Sequence, residues 1–143
     1  MQNNHAGDTH FVDFTLVRGT LLKGFEYYQA LESPFAKALF ILFMVSEVHP
    51  FSDGNGRISR IMMNAELVHA DQSKIIIPTV FRDEYLNALR RPTRMGDPSV
   101  IIHAISRVRQ FSENITGEDF NATRKYLEKC NAFKDTDSDI LRF

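Results

Sequence analysis

Apolar residues dominate the stretch Phe35 to Val48, where Ala-Leu-Phe-Ile-Leu-Phe-Met-Val runs without a polar break and Lys37 is the only basic residue. A segment apolar nearly all round predicts a buried central helix, and this one is too short to span a membrane. Ser33-Pro34 marks its start, since serine can cap and proline suits the first helical position. Upstream, Leu21, Leu22, Phe25, Tyr28, Ala30 and Leu31 recur at spacings near three and four, predicting a helix over Val17 to Leu31. His10-Phe11-Val12-Asp13-Phe14 shows mixed alternation and reads as a short extended piece, after a polar start from Met1 to Asp8.

Downstream, a helix is expected from about Asn55, with Ile58, Ile61, Met62, Ala65 and Val68 on one face, ending at Asp71-Gln72-Ser73. Ile75-Ile76-Ile77-Pro78 is a short apolar connection with no evident partner strand. Arg82 to Arg91 reads as a short helix. Asp97-Pro98 repeats the cap-and-proline start, and the helix after it carries Ile101, Ala104, Ile105, Val108 and Phe111 on one face. A last helix is expected over Asn121 to Phe133 with Tyr126, Leu127 and Cys130 inward, followed by an irregular acidic tail from Lys134 to Phe143. The pattern is that of an all-α bundle around one buried helix.

Composition changes this picture little. At 143 residues, 43% hydrophobic and 24% charged, the chain has the make-up of one globular domain with one core. A formal net charge of -1 does not resemble a basic nucleic-acid binder, so no nucleic-acid partner is expected. The lone Cys130 cannot form an intrachain disulfide and reads as a core residue. No basic-then-apolar leader opens the chain, and the expected setting is cytoplasmic, without a membrane partner.

The chemistry concentrates between the two central helices. Asp53-Gly54-Asn55-Gly56 permits backbone conformations other residues avoid, so successive N–H groups can converge on an anion. The segment opens into a helix whose first N–H groups are unpaired and whose dipole favours negative charge. Arg57 and Arg60 share a face on its first turns, and guanidinium forks match phosphate oxygens. His49 is a candidate base near neutral pH, and Asp53 is a hard oxygen ligand suited to Mg²⁺ on phosphates. Each part alone has a commonplace reading as a helix stop, a turn or a solvated face. Together and in this order they describe a polyphosphate site.

The string His49-Pro50-Phe51-Ser52-Asp53-Gly54-Asn55-Gly56-Arg57-Ile58-Ser59-Arg60 resembles the full signature of the Fic family, with every fixed position matched. The likeness extends over roughly Phe11 to Phe111. It implies a Fic-like helical bundle with at most a short β-hairpin flap near the N-terminus, and transfer of AMP from ATP to a Ser, Thr or Tyr hydroxyl of a target protein. By the same resemblance His49 is the base and Asp53 holds Mg²⁺ on the α- and β-phosphates. Gly54, Asn55 and Gly56 bind the α-phosphate through backbone N–H groups and the Asn side chain. Arg57 supports the β-phosphate and Arg60 the γ-phosphate. Phe51 is expected to anchor the loop in the core, and Tyr85 is a candidate for the adenine pocket. The family's kinase-like branch carries lysine where Gly56 stands, which favours nucleotidyl transfer here.

The expected organisation is a flap region over residues 1–14, a catalytic core over 15–115 and a C-terminal helix and tail over 116–143. Gly7 to Phe14 leaves room for only a small flap, so the chain is expected to be part of a longer protein. The family's inhibitory string, Ser/Thr-x-x-x-Glu-Gly/Asn, is not found in this sequence; a homo-oligomer or an inhibitory partner is left open. Two alternatives remain: a nucleotide-binding regulatory module without turnover, and a transferase using another diphosphate-containing donor. Asp135, Asp137 and Asp139 resemble an EF-hand start, but Ile140 replaces the needed glycine, and His69 and His103 lack a partner ligand.

Overall fold

In the computed structural model residues 5–6, 9–135, 137 and 139–143 are described. They fall into two compact units, Met1–Gln72 and Ser73–Phe143, a division inside the span 15–115 expected as one core. The all-α expectation holds: among the described residues six α-helices make up most of the structure, and the β-structure is two short strands. No helix among the described residues is long and apolar enough to cross a membrane.

The first unit opens with β1 (His5–Ala6) and β2 (Thr9–His10), paired antiparallel with His5 opposite His10. Gly7 and Asp8, the first residues of the expected flap stretch, lie outside the described residues. Asp13 then starts a turn. Its carboxylate accepts from the Thr15 amide at 2.9 Å and hydroxyl at 2.6 Å, and its carbonyl accepts from the Leu16 amide. These bonds, the hydroxyl's first, hold the Asp13 carboxyl below its usual pKa.

α1 (Val17–Ala30) has no buried residue of its own. It packs on α2 (Pro34–Val48) through Val17 and Leu21, and at Gly24 the approach is so close that an added Cβ would lie 2.3 Å from Met44 Sδ. Leu22 and Phe25, counted in the periodic set, are exposed. α2 starts as expected, with Pro34 at its first turn and Ser33 Oγ accepting from the Ala36 amide at 3.4 Å. It is the buried helix of this unit: Ala38, Ile41, Leu42, Met44, Val45 and Val48 are all core.

α3 (Asn55–His69) packs against α2 with a face other than the one its apolar residues suggest. Asn55, Ser59, Met63 and Leu67 are buried, whereas Ile61 is 67% exposed and Met62, Ala65 and Val68 face solvent. Burial of two polar residues is permitted because each is hydrogen-bonded within the loop. α3 is tied to α1 by the Tyr28 hydroxyl donating to Glu66.

In the second unit Ile75 to Pro78 forms no strand; Ser112 Oγ instead accepts from the Ile76 amide at 2.9 Å and donates to the Val108 carbonyl at 2.8 Å. A 3₁₀ turn, Thr79–Phe81, leads into α4 (Arg82–Met95). This helix runs past the expected end at Arg91 and through Pro92. The proline costs one intrahelical bond, and the helix stops only where Gly96 adopts φ 66° and donates to the Pro92 carbonyl. α5 (Ser99–Glu113) buries the expected Ile101, Ala104, Ile105, Val108 and Phe111. α6 (Phe120–Lys129) is shorter than expected: Asp119 caps it, and a turn with Asn131 at φ 61° ends it before Phe133. The tail folds back, burying Leu141, whose carbonyl accepts from Arg107.

Candidate active site

Val48 is the last helical residue of α2 and belongs to the apolar cluster of Ile41, Met44 and Val45, against which Val12, Val17 and Ile58 also pack. The register of this cluster sets where the next residue emerges. His49 takes the left-handed conformation, φ 53° and ψ 56°, and its amide still donates to the Val45 carbonyl at 3.1 Å. A left-handed cap on a non-glycine residue costs about 1–2 kcal/mol, and it turns the chain sharply out of the helix. The imidazole Nδ1 lies 3.3 Å from the Ser46 carbonyl. A carbonyl can only accept, so the contact selects the Nδ1–H tautomer and makes Nε2 the basic nitrogen. One face of the ring is covered by Phe11, with centroids 3.8 Å apart and planes 11° from parallel.

The loop is closed by Asn55. Its Oδ1 accepts from the Phe51 amide at 2.9 Å and its Nδ2 donates to the Phe51 carbonyl at 2.6 Å. Asn55 is 2% exposed, so these bonds stand largely out of water. The carboxamide thus clamps the loop backbone, with one N–H of its Nδ2 used in the clamp. Phe51 also departs from expectation: it is 49% exposed, because it is its backbone that anchors the loop. Ser59, fully buried, donates from Oγ to the Gly56 carbonyl at 3.0 Å and fixes the first turn of α3 from below.

Gly54 precedes α3 at φ 80°, which L-residues adopt only under strain. Its carbonyl accepts from both Arg57 and Ile58 amides at 2.9 Å. The Asn55 and Gly56 amides make no hydrogen bond to any described residue, as expected for the first two positions of a helix. Asp53 Oδ1 accepts from the Gly54 amide at 2.6 Å, while Oδ2 is 3.6 Å from Arg57 Nη2 and the carboxylate is 91% exposed. Both arginines curl back over this turn. Cβ atoms added at Gly54 and Gly56 would lie 3.8 Å from Arg57 Nη2 and 3.6 Å from Arg60 Nη1. Arg60 is half-buried and has no ion pair among the described residues.

His49, Asp53, Gly54, Asn55, Gly56, Arg57 and Arg60 are thus gathered around one helix break. Tyr85 lies on α4 in the second unit and is 2% exposed. Sequence reasoning missed Phe11, Ser46 and Ser59. Phe11 carried one usable signal, an aromatic in the extended piece before α1.

The arrangement offers an anion the first amides of α3 and two guanidinium groups, with an imidazole at the end of the preceding helix. No group of three or more His, Cys, Asp or Glu among the described residues would hold a metal by itself. The Asp53 carboxylate, 91% exposed, fits an ion such as Mg²⁺ that takes one carboxylate and completes its shell with phosphate and water.

A family model described as the Fic/DOC family matches residues 6–67. The chain is similar to Protein adenylyltransferase Fic of Drosophila grimshawi, 35% identical over 75 residues that cover 49% of this chain and 16% of that protein. It is likewise similar to the protein of the same name from Drosophila willistoni, 38% identical over 65 residues covering 46% of this chain and 13% of that one. The match therefore spans less than a fifth of those relatives' length. Among solved structures, Fic-1 (residues 134–508) from C. elegans superimposes with TM-score 0.62 at 19% identity, covering 89% of this chain and 36% of the other. A Fic domain containing signaling protein from Bacteroides thetaiotaomicron gives TM-score 0.54 at 18% identity, covering 72% and 47%. These likenesses are of fold.

Proposed function

We propose that residues 6–67, which the Fic/DOC family model matches, form a domain of that family, and that the chain is a protein adenylyltransferase that moves AMP from ATP to a hydroxyl of a target protein. The observation that carries this reading is the helix break itself. The left-handed His49 cap sets a base of fixed tautomer beside the two unpaired amides at the start of α3, with Arg57 and Arg60 folded over them.

His49 Nε2 takes the proton of the target Ser, Thr or Tyr hydroxyl, whose oxygen attacks the α-phosphorus as the bond to the β-phosphate oxygen breaks. Pyrophosphate leaves. The Asn55 and Gly56 amides face the α-phosphate oxygens, where they stabilise charge at a helix N-terminus. Arg57 holds the β-phosphate and Arg60 the γ-phosphate, each through a charge-assisted fork. Asp53 would hold Mg²⁺, which when bound neutralises charge on the α- and β-phosphates. Gly56 keeps this pose open, since a cationic side chain there would meet the Arg60 guanidinium.

Support comes from the matched family, from relatives named as adenylyltransferases and from the site's chemistry. The test is transfer of label from α-labelled ATP with Mg²⁺ to protein. His49→Ala is expected to abolish it, and undiminished labelling by that variant refutes the assigned base. A parallel series with other nucleotides and diphosphate-linked donors, read by mass shift, fixes the donor; transfer from one of these and none from ATP refutes the AMP reading.

A further inference from the structure

We propose that Phe11 is a positioning residue for His49, holding the imidazole so that Nε2 faces the attacking hydroxyl and supporting the positive charge the ring acquires. The proposal rests on the reading of His49 as the base.

An imidazole has two side-chain torsions to fix. The 3.3 Å contact from Nδ1 to the Ser46 carbonyl points one edge of the ring back at the last turn of α2. A single hydrogen bond of that length still lets the ring rock about it. The Phe11 ring, 3.8 Å away and 11° from parallel, closes that remaining freedom by lying flat on the imidazole face. The two contacts come from different elements and restrain different motions, so together they leave the ring one orientation.

Phe11 is itself held from both sides. β2 ends at His10, one residue before it. Val12, one residue after, packs against the Ile41, Met44, Val45 and Val48 cluster that carries His49 at its end. Asp13 then locks the chain into the turn that starts α1. The segment is thus anchored to the same helix terminus as the base. Phe11 is half-buried and outside the core, so filling the interior does not account for its place.

The chemistry favours an aromatic over an aliphatic residue here. When Nε2 accepts the hydroxyl proton, the imidazole becomes a cation, and the face of a benzene ring attracts a cation where an aliphatic side chain does not. Phe11 therefore acts on both the geometry of proton removal and the charge that results, without touching the substrate.

The experiment compares wild type, Phe11→Leu and Phe11→Tyr in the intact chain, each checked for unchanged helical circular dichroism. NMR of ring-labelled histidine reads the His49 carbon-bound protons and its ¹⁵N tautomer signature; the α-labelled ATP assay reads kcat and KM. In wild type the Phe11 ring current should shift the His49 ring protons upfield and Nδ1 should carry the proton. Phe11→Leu should abolish that shift, mix the tautomers and lower kcat about tenfold with KM for ATP within twofold, as for a group that orients a base rather than binds nucleotide. Phe11→Tyr, which keeps the ring face, should restore shift, tautomer and most of kcat. An unchanged His49 signature in Phe11→Leu, or an unchanged kcat despite a changed signature, overturns the proposal. Should wild type transfer nothing from any donor, the functional reading falls, and the NMR comparison alone still decides whether Phe11 orients the ring.

Discussion

Replacing Asn55 with alanine separates a clamp from a ligand contact, two roles that the same carboxamide could fill. The side chain makes two hydrogen bonds to Phe51, one in each direction, at 2.9 and 2.6 Å. Each such bond contributes about 1 kcal/mol net, and losing both puts the cost at about 2 kcal/mol. Larger losses are not expected, because Phe51 is half-exposed and water can reach its backbone once the clamp is gone. Unfolding entropy of about 2.1 cal/mol/K per residue over 143 residues amounts to about 0.3 kcal/mol/K. The melting temperature should therefore fall by about 7 °C if the chain melts as one unit, and by about twice that if Met1–Gln72 melts alone. The assay is calorimetry of Asn55→Ala and wild type without nucleotide, repeated with saturating ATP and Mg²⁺. Asn55→Asp, which keeps an acceptor for the Phe51 amide but sets a carboxylate against the Phe51 carbonyl, should fall between the two. A nucleotide-free melting temperature within about 1 °C of wild type, with only the ATP-induced gain lost, would refute the clamp and return the side chain to the phosphate.

Arg60→Ala should weaken ATP binding about 10- to 100-fold, the worth of one charge-assisted contact, and leave ADP binding nearly unchanged in calorimetry; equal losses for both nucleotides contradict its assignment to the γ-phosphate. Gly24→Ala forces a Cβ to 2.3 Å from Met44 Sδ and should cost about 1 kcal/mol after the gain in helix propensity, whereas in a Met44→Ala background the same change should stabilise; a denaturant-melt double-mutant cycle showing no coupling rules out this contact. The hydrogen bond to Glu66 raises the Tyr28 phenol from about 10 to about 12, with partial burial adding to it. A raised folded pKa contributes stability that is complete below pH 10 and lost as pH climbs toward 12, so wild type should lose stability more steeply than Tyr28→Phe across that window; parallel denaturation midpoints would count against the Tyr28–Glu66 bond.

The helical skeleton of the first unit was legible because its signals are strong and local. An apolar run opened by Ser33-Pro34 can hardly be anything but a buried helix, and Asp53-Gly54-Asn55-Gly56 names the break after it. The ends of α4 and α6 were less legible. At Pro92 the lost bond was outweighed by a full turn of further helix closed on Gly96, and at Asn131 a left-handed asparagine did the work usually given to glycine. The seven motif residues lie around one helix break, and their roles were read from side-chain type. Tyr85 is buried on α4, and an aromatic residue in a helix is equally suited to a core or to a pocket wall, which spacing alone does not tell apart.

The turn of α3 shows why side-chain type misled. Its large apolar residues, Ile61, Met62, Ala65 and Val68, define a face by period, but Asn55 and Ser59 define the face that packs. The reason lies in the loop. Asn55 must be buried to hold both polar groups of Phe51, and Ser59 must lie beneath Gly56 to hold its carbonyl, so the helix is rotated by its hydrogen bonds as well as by its hydrophobicity. Met63 and Leu67, the fourth and eighth residues beyond Ser59, then carry the same buried face down the helix. Arg57 and Arg60 keep their place on the first turn whichever face α3 packs, since they belong to the same helix as its first amides; what the rotation leaves exposed is Ile61 and Val68. The exposed apolar stripe is thus the counterpart of a hydrogen-bonded loop: a polar clamp overrides the periodicity because the loop fixes which way the helix faces.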